Sequence, residues 1–245
     1  MKIVGVIPAR YKSTRFEGKP LAMIHGKPMI YWVYQQVKKV EKLDEVYVAT
    51  EDQRIVDACA QYDMACILTA DTHKTGTDRM GEVAKKIEAD FYVNIQGDEP
   101  MIEPETVAAV IDSIFAHPGY DVFNTMTPIN DAAEITSDSC VKVVANKDHE
   151  VIYFSRSPIP YPKNGQKIQY YRHLGLYGFK RDALMFFANT GRGPVESIED
   201  VEMMRYLENN IKIYITEVDS RTIAVDHPED IAKVEQAMQL ANWKG

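Results

Sequence analysis

The sequence of 245 residues lacks the features that mark several classes of protein. No apolar run approaches the roughly 18 residues that a membrane-spanning helix needs. The apolar start at residues 3–7 reaches Pro8 and Arg10 too early for a signal-peptide core. The three cysteines form no CxxC pair, and the 13 glycines and 12 prolines are too few for collagen or a disordered chain. We therefore expect a cytoplasmic globular protein without membrane insertion.

Positive charge is also scarce, because 28 lysines and arginines stand against 36 aspartates and glutamates. A net charge of −8 argues against a general nucleic-acid binder, which usually carries a basic face. Residues 10–27 depart from this balance, since Glu17 is their only acidic residue. Their cations are Arg10, Lys12, Arg15, Lys19 and Lys27. Such a local excess favours a site for a small anion, with an ordinary solvated surface as the alternative.

Strand-like and helix-like segments alternate over the first hundred residues. Short runs rich in Val, Ile, Tyr and Phe predict strands, and apolar residues at helical spacing predict helices. The strands are residues 2–7, 45–49, 65–68 and 91–95, and the helices are residues 29–40, 52–62 and 80–88. This alternation predicts an α/β fold with a doubly wound, mostly parallel sheet. The loops after its strands meet at one edge, where such sheets bind ligands.

The middle of the chain has strand-like runs with few helices between them, which predicts a small antiparallel addition at about residues 120–180. The runs are residues 122–128, 141–145, 151–154 and 173–179. Residues 155–171, with three prolines, predict a loop suited to a mobile flap. The remaining elements are helices at 182–189 and 195–209, a strand at 212–218, and a helix from Pro228 to about residue 241. We expect residues 1–245 to form a single domain.

A cationic loop follows the first strand at residues 7–21. It is not a Walker loop, and no GxGxxG motif occurs in the chain. Arginine forks onto phosphate oxygens and lysine adds a point charge, so Arg10, Arg15 and Lys19 suit a triphosphate. A surface loop of ordinary charge is the alternative.

Two aspartates follow apolar strands. Asp98 comes after the strand at residues 91–95 and a Gln-Gly pair, and Asp226 comes directly after Ala224 and Val225. Magnesium prefers one or two carboxylates together with phosphate oxygens. The pair therefore predicts a magnesium site. Taken singly, each residue is better explained in another way, Asp98 as a turn former and Asp226 as a helix N-cap.

Three further polar segments are candidates for substrate binding. Residues 74–79 enter a helix and suit a base, ribose or phosphate, or only a capped helix start. Arg156 and His173 suit a substrate with a carboxylate and hydroxyls, although a lone histidine is commonly structural. Spacing of about one turn in the predicted helix 195–209 indicates a shared face or an ion pair for three charged residues. These are Glu199, Glu202 and Arg205.

In this order and spacing, the segments resemble the CMP-Kdo synthetase family, the 3-deoxy-manno-octulosonate cytidylyltransferases. The motifs that carry the resemblance are IPARYKSTRFEGKPL, GTDR, NIQGDEP, YFSRSPIP and RHLGLY. The resemblance implies a Rossmann-like nucleotidyltransferase fold and magnesium-dependent cytidylyl transfer from CTP to the anomeric hydroxyl of a 3-deoxy-2-keto sugar acid (Kdo). Pyrophosphate leaves, and the product serves lipopolysaccharide or capsule synthesis. A homodimer is also implied, with the antiparallel region as its expected interface.

The resemblance implies roles for individual residues. Lys19, Asp98 and Asp226 would be catalytic, the two aspartates as magnesium ligands. The nucleotide would contact Pro8, Ala9, Arg10, Arg15, Lys19, Thr75, Thr77, Arg79 and Gln96. The sugar acid would be surrounded by Arg156, His173, Tyr177, Glu202 and Arg205.

Two places depart from the family pattern. Phe16 and Glu17 replace the usual Leu-Pro and put a carboxylate in the cationic loop, and Met203 replaces a usual glutamine. A thioether cannot donate a hydrogen bond, so a sugar hydroxyl that the glutamine would bind loses its partner. A modified acid such as 8-amino-Kdo, or another acidic sugar, is therefore an alternative substrate. If Met203 faces away from the sugar, it is only a packing residue. A sugar-nucleotide-binding protein without turnover is the non-enzymatic alternative. A glycosyltransferase would show an Asp-x-Asp motif after a strand, which the strand ends do not supply.

Overall fold

The computed structural model describes residues 1–220, 222–241 and 243. The strands are β1 (Ile3–Pro8), β2 (Met23–Ile24), β3 (Lys27–Pro28), β4 (Glu45–Thr50), β5 (Cys66–Leu68), β6 (Phe91–Asn94), β7 (Val122–Pro128), β8 (Lys142–Ala145), β9 (Val151–Ser155), β10 (Tyr171–Lys180) and β11 (Ile213–Glu217). The helices are α1 (Met29–Lys38), α2 (Gln53–Gln61), α3 (Gly76–Lys86), α4 (Pro104–Ala116), α5 (Ala132–Thr136), α6 (Arg181–Asn189), α7 (Pro194–Glu199), α8 (Met204–Glu208) and α9 (Asp230–Leu240).

One sheet of nine strands organises the described residues. Seven strands lie in the order β11-β7-β10-β6-β1-β4-β5, and β8 and β9 extend from β10. The pairs of β1 with β4 and β6, β4 with β5, and β7 with β11 are parallel, whereas β10 runs antiparallel between β6 and β7. The predicted mostly parallel α/β fold is confirmed. The antiparallel strands are continuous with the main sheet.

Each face of the sheet is covered by its own apolar layer. In β1, Ile3 and Ile7 pack in the layer that contains residues of α1, α2 and α4. Val4 and Val6 point the opposite way, into the layer formed with α3, α6 and α8. Successive side chains of a strand alternate between faces, so burial on both sides explains why this strand is an unbroken apolar run. Helices on both faces make the sheet doubly wound.

Several elements were not predicted from the sequence. The longest of them is α4. Its buried residues include the adjacent Val110 and Ile111, so its apolar residues do not follow the simple helical spacing of a one-sided amphipathic helix. The β2–β3 hairpin and α5 were also missed; they have only two residues per strand and five residues, which is too short for a periodic signal.

The single helix predicted at residues 195–209 is wrong. The chain leaves α7 at Asp200, which adopts a left-handed conformation with φ 50°, and becomes helical again in α8. A non-glycine residue enters this region only with difficulty, and Asp is among the residues that tolerate it best. Apolar residues keep helical spacing on both sides of the break, so periodicity does not reveal it.

Within the described chain, no helix is both long enough and apolar enough to cross a membrane. Cys59, Cys66 and Cys140 are free thiols.

Candidate functional site

A cavity of about 430 Å³ opens at the edge of the sheet where β1 and β6 end. Four segments line it: the loop after β1, the turn into α3, the turn after β6, and the chain around α7. Ten of the predicted site residues are in its lining, namely Pro8, Ala9, Arg10, Arg15, Lys19, Thr75, Arg79, Gln96, Asp98 and Glu202.

Strand register brings the first and third segments together. β1 and β6 are parallel with Val6 opposite Asn94, so both following loops leave at the same edge. Gly97 permits the close approach, because a Cβ there would lie 2.9 Å from the carbonyl oxygen of Pro8. Arg10 and Asp98 consequently face one cavity although 88 positions separate them in sequence.

Lys19 joins the two aspartates predicted as metal ligands. Its Nζ lies 2.7 Å from Asp98 Oδ2 and 3.9 Å from Asp226 Oδ1, and it donates to the carbonyl oxygen of Val225 at 2.8 Å. Arg15 Nη2 lies 3.0 Å from Asp226 Oδ1. The three residues predicted to be catalytic therefore form one charged cluster, although Asp226 is outside the cavity lining itself.

Asp226 does not cap the last helix. The N-cap of α9 is Glu229, and the Asp230 carboxylate accepts hydrogen bonds from the backbone N–H groups of Asp226 and His227 at 3.1 and 2.9 Å. The N-cap alternative for Asp226 is therefore wrong, and its own carboxylate remains directed at Arg15 and Lys19.

The donor set fits a divalent cation of the magnesium type. Among the residues that the structure describes, no three His, Cys, Asp or Glu side chains come together as a complete metal cage. Magnesium needs no such cage, because phosphate oxygens and waters complete a shell begun by one or two carboxylates. Asp98 and Asp226 supply two hard oxygen donors that are already held near a positive charge.

The turn into α3 is a capping box. Thr75 Oγ1 accepts from the backbone N–H of Asp78 at 3.1 Å, and Asp78 Oδ2 accepts from the N–H of Thr75 at 3.2 Å. The segment is therefore a capped helix start, as the structural alternative for residues 74–79 predicted. Thr75 and Gly76 also line the cavity, so the same helix start presents its positive end to a ligand.

Thr77 and Arg79 lie deeper in this segment. Arg79 is 4% exposed and its Nη2 lies 2.6 Å from Glu51 Oε2. Thr77 is fully buried; its N–H donates to Glu202 Oε2 at 3.3 Å and its Oγ1 has no hydrogen-bond partner. Burial raises the pKa of Glu202.

Gln96 is positioned by the strand opposite. A Cβ on Gly175 of β10 would overlap the Gln96 side chain, so only glycine leaves room for it. This explains the glycine of the RHLGLY motif in structural terms.

Of the five residues expected around the sugar acid, only Glu202 lines the cavity. His173 stacks on Tyr177, with ring centres 6.2 Å apart, and its Nδ1 is buried without a partner. Burial, and then the charge of Arg156, lowers the pKa of His173 to about 4. Burial and the charge of Glu202 raise the pKa of Tyr177.

The two arginines of that set hold the wall around α7. Arg156 donates to the carbonyl oxygens of Glu199, Asp138 and Asp200 at 2.6, 2.6 and 3.0 Å. The Glu199 carboxylate, in return, accepts from the backbone N–H of Arg156 at 2.9 Å.

Arg205 binds Glu196 across the helix break, with bonds of 2.8 and 2.6 Å. The shared helix face expected for Glu199, Glu202 and Arg205 is therefore wrong. The ion pair of Arg205 is real, but its partner is Glu196.

Sequence reasoning missed Arg192 on the cavity wall. It lines the cavity with Glu196 and Asp200, and its Nη2 lies 2.6 Å from Asp200 Oδ1. An isolated arginine between glycines carries no motif, so no sequence signal marked it.

Met203 is fully buried in the apolar layer formed with α3 and α6. Its thioether packs among apolar side chains and is not in the cavity lining.

Comparison with known proteins agrees with this geometry. A family model described as cytidylyltransferase matches residues 4–213. A 3-deoxy-manno-octulosonate cytidylyltransferase of Fusobacterium nucleatum is 42% identical over the whole of both chains. One from Escherichia coli is 42% identical over 97% of this chain and 96% of its own.

Solved structures extend the comparison. The structure of CMP:2-keto-3-deoxy-manno-octonic acid synthetase complexed with CTP superposes with a TM-score of 0.94, at 42% identity, over 98% of this chain and 100% of that one. A cytidylyltransferase of Leptospira borgpetersenii, at 16% identity and a TM-score of 0.66 over 98% of this chain and 87% of its own, shares the fold.

The depressed pKa of His173 predicts a loss of stability in acid. Between pH 6.5 and about 4 the histidine binds a proton in the unfolded chain but stays neutral in the folded chain. The free energy of unfolding therefore decreases by about 2–3 kcal/mol as the pH is lowered through this range. His173→Gln should remove this part of the loss, measured by urea unfolding at pH 7 and 4.5. The exposed His227→Gln is the control and should behave as wild type; equal pH dependence in all three proteins would contradict the assignment.

Proposed function

Because the chain belongs to the cytidylyltransferase family, and within it to the 3-deoxy-manno-octulosonate cytidylyltransferases, we propose that it transfers the cytidylyl group of CTP to Kdo. The observation that carries the proposal is the charged cluster of Lys19, Asp98 and Asp226 beside a cavity lined by the cationic loop. A relative of the same fold and 42% identity is known in complex with CTP.

In the reaction, the anomeric hydroxyl oxygen of the sugar acid bonds to the α-phosphorus of CTP. The bond to the β-phosphate breaks, pyrophosphate leaves, and the hydroxyl loses its proton. Such chemistry depends mainly on positioning and on neutralising charge. Arg10, Arg15 and Lys19 would hold the triphosphate, and the start of α3 at Gly76 would add positive potential.

We propose magnesium as the divalent cation, held by Asp98 and Asp226. When bound it would neutralise triphosphate charge and lower the pKa of the attacking hydroxyl. Lys19 holds both carboxylates directed to the same place.

On the nucleoside side, Pro8, Ala9 and Gln96 line the cavity and would contact base and ribose directly. Thr77 and Arg79 are buried, Arg79 at the cavity wall and Thr77 behind it, and we assign both to holding the turn into α3 and the strand ends. Arg79 does this through Glu51, which also accepts from the backbone N–H of Tyr11 at 3.1 Å.

On the sugar side, Glu202 would accept a hydrogen bond from a hydroxyl of the sugar acid. Neutral His173 and Tyr177 would lie behind Glu202. Arg156 and Arg205 act through the wall they hold. Arg192 is the cation of that wall in the cavity lining, so it is our candidate for the sugar carboxylate.

Release of pyrophosphate from CTP and magnesium, with Kdo and 8-amino-Kdo assayed in parallel, tests the function. Asp98→Asn should lower turnover with Kdo on the order of 100- to 1,000-fold, because a charged ligand at the reacting phosphate is lost. Asp121→Asn, which breaks an exposed ion pair with Lys180, is the control and should keep full activity. Near-normal turnover of Asp98→Asn would remove this residue from the mechanism, and no release with wild type would refute the activity.

The burial of Met203 favours Kdo over a modified acid. Met203→Gln should lower the free energy of unfolding by about 1–3 kcal/mol, because it buries an amide among apolar side chains. The rate ratio between Kdo and 8-amino-Kdo should stay constant, and the isosteric Met203→Leu should be nearly neutral in both measurements. A shift toward Kdo in Met203→Gln alone would restore the modified acid as the substrate.

We propose that the protein is a cytoplasmic homodimer serving lipopolysaccharide or capsule synthesis, with the antiparallel region at about residues 120–180 as its interface. In support, Ile152 is 57% exposed on β9, which pairs with β8 at one side of this region. Ile152→Glu should shift a dimer to monomer in sedimentation experiments, because the charge would be buried at the interface. Leu240→Glu on α9 is the control; an unchanged dimer in Ile152→Glu would place the interface elsewhere.

A further inference from the structure

The cationic loop contacts the start of α2, where Tyr11 of the loop packs against Arg54. The guanidinium carbon of Arg54 lies 3.3 Å from the centre of the Tyr11 ring, within the range of a cation–π stack. Asp52 fixes this guanidinium by accepting from Nε at 2.8 Å and from Nη2 at 2.7 Å. Asp52 is also the N-cap of α2, accepting from the backbone N–H of Arg54 at 3.0 Å. Arg54 therefore presents a rigid face to the ring.

The Tyr11 residue also closes the loop on itself. The N–H of Gly18 donates to the carbonyl oxygen of Tyr11 at 2.8 Å, and Gly18 has a φ of 70°, which glycine adopts without strain. A Cβ on Gly18 would lie 3.1 Å from the Tyr11 ring, so the chain returns directly against it. The next residue after Gly18 is Lys19, whose ammonium group lies near both Asp98 and Asp226. The position of the ring thus determines where Lys19 enters the cavity.

Glu17 is the one carboxylate of the cationic loop. The charge of Glu17 acts on Arg54, where it adds to Asp52 in raising the pKa of the guanidinium. Glu17 is not in the cavity lining. The carboxylate in the cationic loop therefore lies outside the lining that an anion in the cavity would meet.

We propose that Tyr11 and Arg54 are a positioning pair, whose stack holds the cationic loop in the conformation that binds the triphosphate of CTP. The inference rests on the proposed function for the identity of the ligand. Neither side chain lines the cavity, so the pair acts through Arg10, Arg15 and Lys19.

Steady-state kinetics of pyrophosphate release, with each substrate varied in turn, tests the pair. Tyr11→Leu and Arg54→Gln should each raise the KM for CTP on the order of fivefold and leave kcat and the KM for Kdo within about twofold. Tyr11→Phe keeps the ring and should remain at wild-type values. The double variant Tyr11→Leu with Arg54→Gln should be no worse than either single one, because both remove the same contact.

The control is Tyr62→Leu, which removes a stack with Lys27 (4.7 Å) at the other end of α2. It matches the loss of an aromatic ring and should leave the KM for CTP unchanged. Equal losses for CTP and Kdo, additive effects in the double variant, or a CTP defect in Tyr62→Leu as well would overturn the proposal.

Direct titration of CTP with magnesium by calorimetry separates this proposal from the proposed function. If wild type binds CTP but releases no pyrophosphate, the activity is refuted, while weaker CTP binding in Tyr11→Leu and normal binding in Tyr11→Phe would still establish the pair. Equal binding in all variants, or no CTP binding by wild type, would overturn the pair.

Discussion

The sharing of one ammonium group between two carboxylates organises the site. Lys19 comes from the loop after β1, Asp98 from the turn after β6, and Asp226 from the chain before α9, so their attraction draws together three parts of the molecule. The backbone reinforces this contact, because the N–H of Val225 donates to the carbonyl oxygen of Asp98 at 2.9 Å. Positive charge can accumulate nearby in an acidic protein because these carboxylates offset it locally, which leaves Arg10 available to an anion.

Elsewhere the structure satisfies cations with main-chain oxygen instead of carboxylate. Lys142 is fully buried, and its Nζ donates to the carbonyl oxygens of Ser137, Cys140 and Arg156. Together with the guanidinium of Arg156, it ties β8 and β9 to the segment around Asp200. Burial lowers the pKa of Lys142, because removing an ammonium group from water disfavours its charged form. These hydrogen bonds connect β8 and β9 to the wall that carries Glu202.

Those features of the fold and site that depend on local pattern could be predicted from the sequence. Apolar runs marked β1 and β6 because both faces of these strands are buried, and the charges after them marked the cavity edge. The break at Asp200 and the pairing of Arg205 with Glu196 could not be predicted, since both arise from tertiary contacts that leave helical spacing intact. Met203 and Glu17 depart from the family pattern, and the meaning of each departure depends on where the side chain lies. Met203 is in the apolar layer, and Glu17 is outside the cavity lining.

The place of β10 in the sheet has a consequence for synthesis. β6 has β1 on one side and needs β10, residues Tyr171–Lys180, on the other. While the ribosome makes the intervening residues, β6 is an unpaired edge with open N–H and C=O groups, which other nascent chains can join. The N-terminal part of the sheet therefore depends on a strand that is made late, and the edge of β6 stays open to other chains during the translation of the residues between β6 and β10.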